Sequence, residues 1–226
     1  MKRKFNLGAF LKKLPLIVLG FAFAALGLAV MIRSRLGMGP WGALEVGVSN
    51  RTGLSVGTVT QIISLILVIV SWVLAVRPTL VTLLNVFLIG FFMDIALRFV
   101  PQAEGWVGRG AFFLIGLGLY SFGIAFYLSA ARGDSGPRES LMLAVSRAFR
   151  ASIRVSRISV DIFALALALI ARGPIGVGTV VFAVSAGPII QFFLRLLGHA
   201  TKGGLLKNGA GGDDQPPGEE ATTSHG

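Results

Sequence analysis

Six apolar runs, most of them near twenty residues long, decide what this chain can fold into. Leu14–Ile32 has nineteen residues without a charge, and Ser55–Val76 and Gly110–Ala131 have twenty-two each. Thr79–Val100, Ile158–Ala171 and Ile175–Leu197 complete the set, with Asp94, Arg98, Asp161 and Arg195 as their only charges. About twenty helical residues cross the roughly 30 Å hydrocarbon core of a bilayer. With 54% of residues hydrophobic and 14% charged, there is too little polar sequence to cover a soluble core. In lipid the backbone must satisfy its own hydrogen bonds, which these runs do as helices. The expected fold is all-α, a polytopic membrane helical bundle of six spans. Leu14–Ile32 also reads as the apolar core of a signal peptide, with Ala22-Phe23-Ala24 as a cleavage site. Its mid-chain counterpart at Gly110–Ala131 argues against that.

That counterpart belongs to an internal repeat. Adding 97 to Arg35, Gly39, Pro40, Leu44, Val48, Ser49, Ser55, Thr82, Gly90, Leu97 and Arg98 lands on the same residue type each time. Identity alone carries little weight in so biased a composition. The matching hydropathy and the matching punctuation of Gly-Pro, Thr, Gly and Arg carry more. Residues 14–100 and 110–197 therefore read as two copies of one unit. Each copy contains a short Gly-Pro segment, Gly39-Pro40-Trp41 in the first and Gly136-Pro137 in the second. Proline suits the first turn of a helix. At about fourteen residues such a helix is too short to span, so the segment is expected to be interfacial or re-entrant, with Trp41 at the interface.

The net charge of +11 does not indicate nucleic acid, because most basic residues sit between apolar runs. Their sidedness sets topology instead. With both termini cytoplasmic, inner segments hold fifteen Lys and Arg and outer segments six. Three spans per unit, an odd number, then invert the second repeat relative to the first, a plan shared with many transporters. Residues 1–13 form a basic cytoplasmic N-terminus. Residues 198–226, rich in Gly, Pro and acid, are expected to be a disordered cytoplasmic tail.

The chain lacks cysteine, its two histidines lie outside the runs, and no phosphate-binding loop is present. No cofactor, metal site or catalytic constellation is expected, so the protein does not read as an enzyme.

Gly39-Pro40-Trp41 with Leu44, then Gly53-Leu54-Ser55-Val56-Gly57-Thr58, then Gly176-Val177-Gly178-Thr179 followed by Gly187-Pro188-Ile189-Ile190, resemble the YczE/YyaS-like family of bacterial integral membrane proteins, which is similar to the YitT group. The first unit departs from the pattern: Thr79-Leu80-Val81-Thr82 lacks the glycines, Phe91 replaces the proline, and Arg138 replaces the second tryptophan. The resemblance implies a multi-pass protein of the bacterial inner membrane. It implies no defined activity, although a role in export or in secondary-metabolite production is attached to the family.

Polar residues within spans are the candidate sites. Asp94 and Arg98 are spaced as an (i, i+4) pair, with Gln191 and Arg195 at the repeated positions. Asp161 stands one turn after Arg157 and is read evenly as ion pair or coupling group, since an acid in a span marks function by default. Gln61, Ser64 and Asn85 read as interhelical hydrogen bonds or as ligand contacts. Glu45, the one acid of the first Gly-Pro segment, reads as solvated. Arg147, Arg150, Arg154 and Arg157, opposite Leu141, Val145 and Phe149, read as one basic amphipathic helix that meets anionic lipid headgroups. The expected function is a small-molecule transporter or permease with an unidentified substrate; the alternative is a non-catalytic scaffold or accessory subunit. The expected partners are the lipid bilayer and its anionic headgroups, with an unidentified small molecule; a homo-oligomer is compatible with the sequence, which leaves the oligomeric state open.

Overall fold

A computed structural model describes residues 7–74, 76–131 and 136–197, which form eight helices and no strand. They are α1 (Leu7–Ser34), α2 (Pro40–Thr52), α3 (Val56–Val73), α4 (Leu80–Phe99), α5 (Gly105–Ala130), α6 (Pro137–Phe149), α7 (Ile153–Ile170) and α8 (Val177–Leu196). The segment expected to be a disordered tail lies outside the described residues, as do Met1–Asn6. α1 reaches back into the basic N-terminal segment and includes Lys12 and Lys13.

The repeated punctuation falls at helix starts. Gly39 and Gly136 are N-caps, with Pro40 and Pro137 as the first helical residues, where a missing N–H costs nothing. Ser55 and Ser152 cap α3 and α7, accepting from the backbone N–H of Thr58 at 3.1 Å and of Val155 at 3.3 Å. The Thr82 and Thr179 hydroxyls accept from the N–H of Thr79 at 3.3 Å and of Gly176 at 3.2 Å. Local capping chemistry thus accounts for four of the eleven repeated positions: Gly39, Pro40, Ser55 and Thr82.

α1 and α5 form the central pair. A Cβ on Gly27 would lie 2.2 Å from the Tyr120 nitrogen, and one on Gly123 would lie 2.3 Å from the Ala24 nitrogen. Close approach through small residues is what binds helices in lipid, where burial of apolar surface gives no drive. α4 packs on α1 and α8 on α5, while α2 crosses to α7 and α6 crosses to α3. The loop after α1 docks on the start of α8: Gly178 donates to the Leu36 carbonyl at 2.8 Å, and a Cβ on Gly176 would meet that same oxygen at 2.5 Å. The motif glycines Gly176 and Gly178 therefore make room for a chain crossing.

α3 and α4 share a seam as close as the α1–α5 contact. A Cβ on Gly57 would stand 2.1 Å from the Gly90 carbonyl oxygen, and Asp94 closes the end of the seam by accepting from Ser55 Oγ at 2.5 Å and from Gly57 N at 2.7 Å. No comparable seam joins α7 and α8. The residues 97 positions on explain why. Arg154 stands in place of Gly57, Gln191 in place of Asp94, and Gly187 faces open space where Gly90 is gripped.

Among the described residues, five helices are long and apolar enough to cross a membrane: α1, α3, α4, α5 and α8. α7 has eighteen residues, not the fourteen of its apolar run, because it begins at Ile153 and takes in Arg154 and Arg157. Large apolar side chains are exposed along the outer faces, among them Phe87, Phe91 and Phe99 on α4 and Val180, Val184 and Phe192 on α8. An apolar belt of this extent is a lipid-facing surface.

Candidate functional site

The two Gly-Pro helices lie within the bundle. α2 buries Trp41, Ala43, Leu44, Val46 and, at 1% exposure, Glu45. Two sequence expectations fail here. Trp41 does not sit at the lipid interface, and Glu45 is not solvated. α2 presents its flank to α7 through Gly47 and Ala43, whose backbone meets the turn at Ala171–Gly173 too closely for larger side chains. That docking carries Glu45 inward.

A carboxylate so buried needs a partner. Arg138 of α6 supplies it: Nη2 donates to Glu45 Oε1 at 2.5 Å, and Thr60 Oγ1 of α3 donates to Oε2 at 3.0 Å. Burial by itself would lower the Arg138 guanidinium, but Glu45, with Tyr120 and Glu139 adding to it, holds its pKa above the ordinary value. The guanidinium also lies 5.9 Å over the Trp41 ring. Trp41 Nε1 in turn donates to Asp161 Oδ1 at 3.2 Å, and Asp161 Oδ2 stands 3.9 Å from Arg157 Nε. A polar chain thus runs from exposed Arg157 through Asp161, Trp41, Arg138 and Glu45 to buried Thr60, drawing on four helices.

Beside Arg138 lies a cavity of about 30 Å³, room for one or two waters. Thr60 and Ser64 of α3, Asn85 of α4, Tyr120 and Tyr127 of α5, and Arg138 and Glu139 of α6 line it. Adding 97 to Asn85 gives Phe182. Phe182 crowds Gly39, where a Cβ would meet its ring at 2.5 Å, so an aromatic ring occupies the related position in the other half of the bundle.

The sequence candidates divide accordingly. Asn85 lines the cavity, and Ser64 does too. Asp161 joins the polar chain but does not line the cavity, and its predicted pairing with Arg157 is present as a long, exposed contact. Gln61 bonds across the α3–α4 seam, donating from Nε2 to the Phe87 carbonyl at 2.9 Å. Asp94 is not paired with Arg98; it is committed to the start of α3, where free N–H groups attract a carboxylate. Gln191 is exposed on α8. Arg147, Arg150, Arg154 and Arg157 do not share one helix. The chain turns at Arg150, a left-handed C-cap with φ 50°, leaving Arg147 on α6 and Arg154 and Arg157 on α7, all four exposed. Gly187 and Pro188 lie inside α8, where Pro188 removes one helical hydrogen bond.

The sequence reading took Glu45 as solvated, noted Arg138 only as a departure from the tryptophan, and gave Glu139 no role. The available signal was the pairing of opposite charges on the two Gly-Pro helices, with Arg138 at the repeat position of Trp41. Nothing in a helix-face count brings α2 and α6 to the same interior point.

A protein from Haemophilus influenzae described as uncharacterized is 34% identical over 186 residues, which cover 82% of this chain and 85% of that protein. The uncharacterized protein YyaS of Bacillus subtilis is 33% identical over 79% of this chain and 90% of its own length. The uncharacterized membrane protein YczE of the same organism is 32% identical over 80% of this chain and 86% of its own. No solved structure matches the chain. With residues 11–195 matching it, and with YyaS and YczE as relatives, this multi-helix membrane protein belongs to DUF6198, a family of unknown function.

Proposed function

We propose that the protein is a small-molecule transporter of the bacterial inner membrane, with the chamber beside Arg138 as its binding site. The observation that carries this reading is an ion pair and a polar cavity held inside an apolar bundle by two helices too short to span. Interrupted or short helices that deliver polar groups to the protein interior are how many transporters build substrate sites. A scaffold has no evident use for a buried carboxylate–guanidinium pair opening on a cavity.

The reading includes six spans, with α7 crossing beside α2, and two three-span repeats related by inversion. The packing supports it. Under the offset of 97, α1–α4 correspond to α5–α8. The contacts α1–α4 and α5–α8, α2–α7 and α6–α3, and α2–α3 and α6–α7 exchange in pairs, with α3–α4 and the slight α4–α6 contact as exceptions. Both termini are then cytoplasmic. Reporter fusions at positions 104 and 200 should report opposite sides of the membrane; the same side for both would end the six-span reading.

The functional test compares uptake and efflux of metabolites between a deletion strain, the strain restored with the natural gene, and the strain restored with Glu45→Gln. Transport predicts at least one solute whose distribution changes on deletion, returns with the natural protein and fails to return with Glu45→Gln at equal membrane abundance. A restored phenotype with Glu45→Gln would favour the scaffold reading.

A further inference from the structure

We infer that the chamber binds a compact monovalent cation, and that Glu139 is the carboxylate that holds it. Arg138 is satisfied by Glu45 at 2.5 Å, and Glu45 gives its second oxygen to Thr60. Arg157 is matched by Asp161. Of the two charged residues that line the chamber, Arg138 and Glu139, that leaves Glu139 without an ion-pair partner among the described residues. With Glu45 counted beside them, the three charges sum to minus one.

Two features could instead suggest an anion, and the geometry disposes of each. Arg138 is already neutralised. The N-terminus of α6, lined by Gly136 and Pro137, would attract an anion, but the Glu139 carboxylate folds back over it: a Cβ on Gly136 would lie 2.8 Å from Glu139 Oε2. The helix start thus faces a carboxylate of its own. The remaining walls suit a cation. Thr60 and Ser64 bring hydroxyl oxygens and Asn85 an amide to the wall, and the two tyrosines add ring faces and hydroxyls. At about 30 Å³ the space admits an alkali ion or an ammonium group and excludes a quaternary amine.

This deepens the transport reading by naming the ligand, but binding itself does not depend on transport. The test uses the full chain in nanodiscs of zwitterionic lipid, titrated with sodium, potassium, ammonium or methylammonium chloride, with N-methylglucamine chloride holding ionic strength constant. The alkali and ammonium arms separate a metal-ion site from an amine site. The expected result is a saturable rise in unfolding temperature with at least one of these ions and none with choline. Glu139→Gln should weaken that binding roughly tenfold to a hundredfold, as loss of a charged hydrogen-bond partner does. Glu139→Asp keeps the charge and should retain a saturable response at lower affinity, which separates loss of the ligand from loss of the fold. A flat response to all four ions, a response that survives Glu139→Gln unchanged, or one that follows the anion at fixed cation would overturn the site. Proteoliposomes separate the two readings. Saturable binding without cation flux overturns transport and leaves the site. Flux of some solute that is indifferent to Glu139→Gln overturns the site and leaves transport.

Discussion

Glu45 and Arg138 answer differently to removal, and the difference is measurable. Glu45→Gln keeps the side-chain shape and the contact with Thr60 but leaves a guanidinium facing α2 without its carboxylate. Breaking a buried pair costs about 3–5 kcal/mol. Because the Arg138 side chain is 25% exposed, the lower end applies, about 3 kcal/mol, or roughly 6–12 °C in Tm for a chain of this size. Arg138→Gln strands the carboxylate instead, and the Glu45 side chain is only 2% exposed, so near neutral pH its cost is at least as large. The double variant Glu45→Gln/Arg138→Gln should recover most of the loss, giving a coupling of about 2–3 kcal/mol. Thermal unfolding in detergent at about pH 7.5, across the cycle, reads all of this. Single-variant losses below about 1 kcal/mol, or losses that simply add in the double variant, would refute a buried pair.

Other sites give sharper local contrasts. Gly57→Ala must part α3 from α4, since its Cβ would lie 2.1 Å from the Gly90 oxygen, and should cost about 1–3 kcal/mol of thermal stability; Gly187→Ala enters open space and should be neutral or slightly stabilising. Asp94→Ala should cost about 0.5–2 kcal/mol, as loss of a helix cap does, whereas Arg98→Gln should change stability by less than about 0.5 kcal/mol, because Arg98 has no ion pair with Asp94. Asp161→Asn keeps an acceptor for Trp41 and gives up an exposed contact with Arg157, so its loss in the same assay should be about 0.2–0.5 kcal/mol; a loss above about 2 kcal/mol would show that Asp161 carries more of the bundle than its contacts suggest.

What the chain displayed in advance was what depends on nearest neighbours along it. Apolar runs gave the long helices, and Gly-Pro, Ser and Thr marked where helices begin, because caps act over three or four residues. The Gly-Pro helix starts and the polarity of Asn85 were legible in that way. The partners of polar residues were not. The Asp94–Arg98 spacing fits one helix face, yet Asp94 turns to the start of α3, because N–H groups without a helical partner compete for the carboxylate. The arginines from Arg147 to Arg157 show a helical period that the left-handed turn at Arg150 interrupts. Glu45 looked solvated because a short polar segment resembles a loop until α7 is seen to take its flank. In each case a contact between distant parts of the chain overrode a sound local rule.

The seam between α3 and α4 has a mechanical consequence. Backbones in contact along Gly57 and Gly90, pinned at one end by Asp94, cannot slide or spread without breaking several contacts together, so they behave as one stiff beam. α7 and α8 have no such seam between them; α7 packs on α2 and α6 and α8 on α5, so their separation is the more compliant of the two. If the chamber opens by relative motion of the two halves, strain will concentrate in the compliant pair, and the stiff pair will serve as the frame against which it moves.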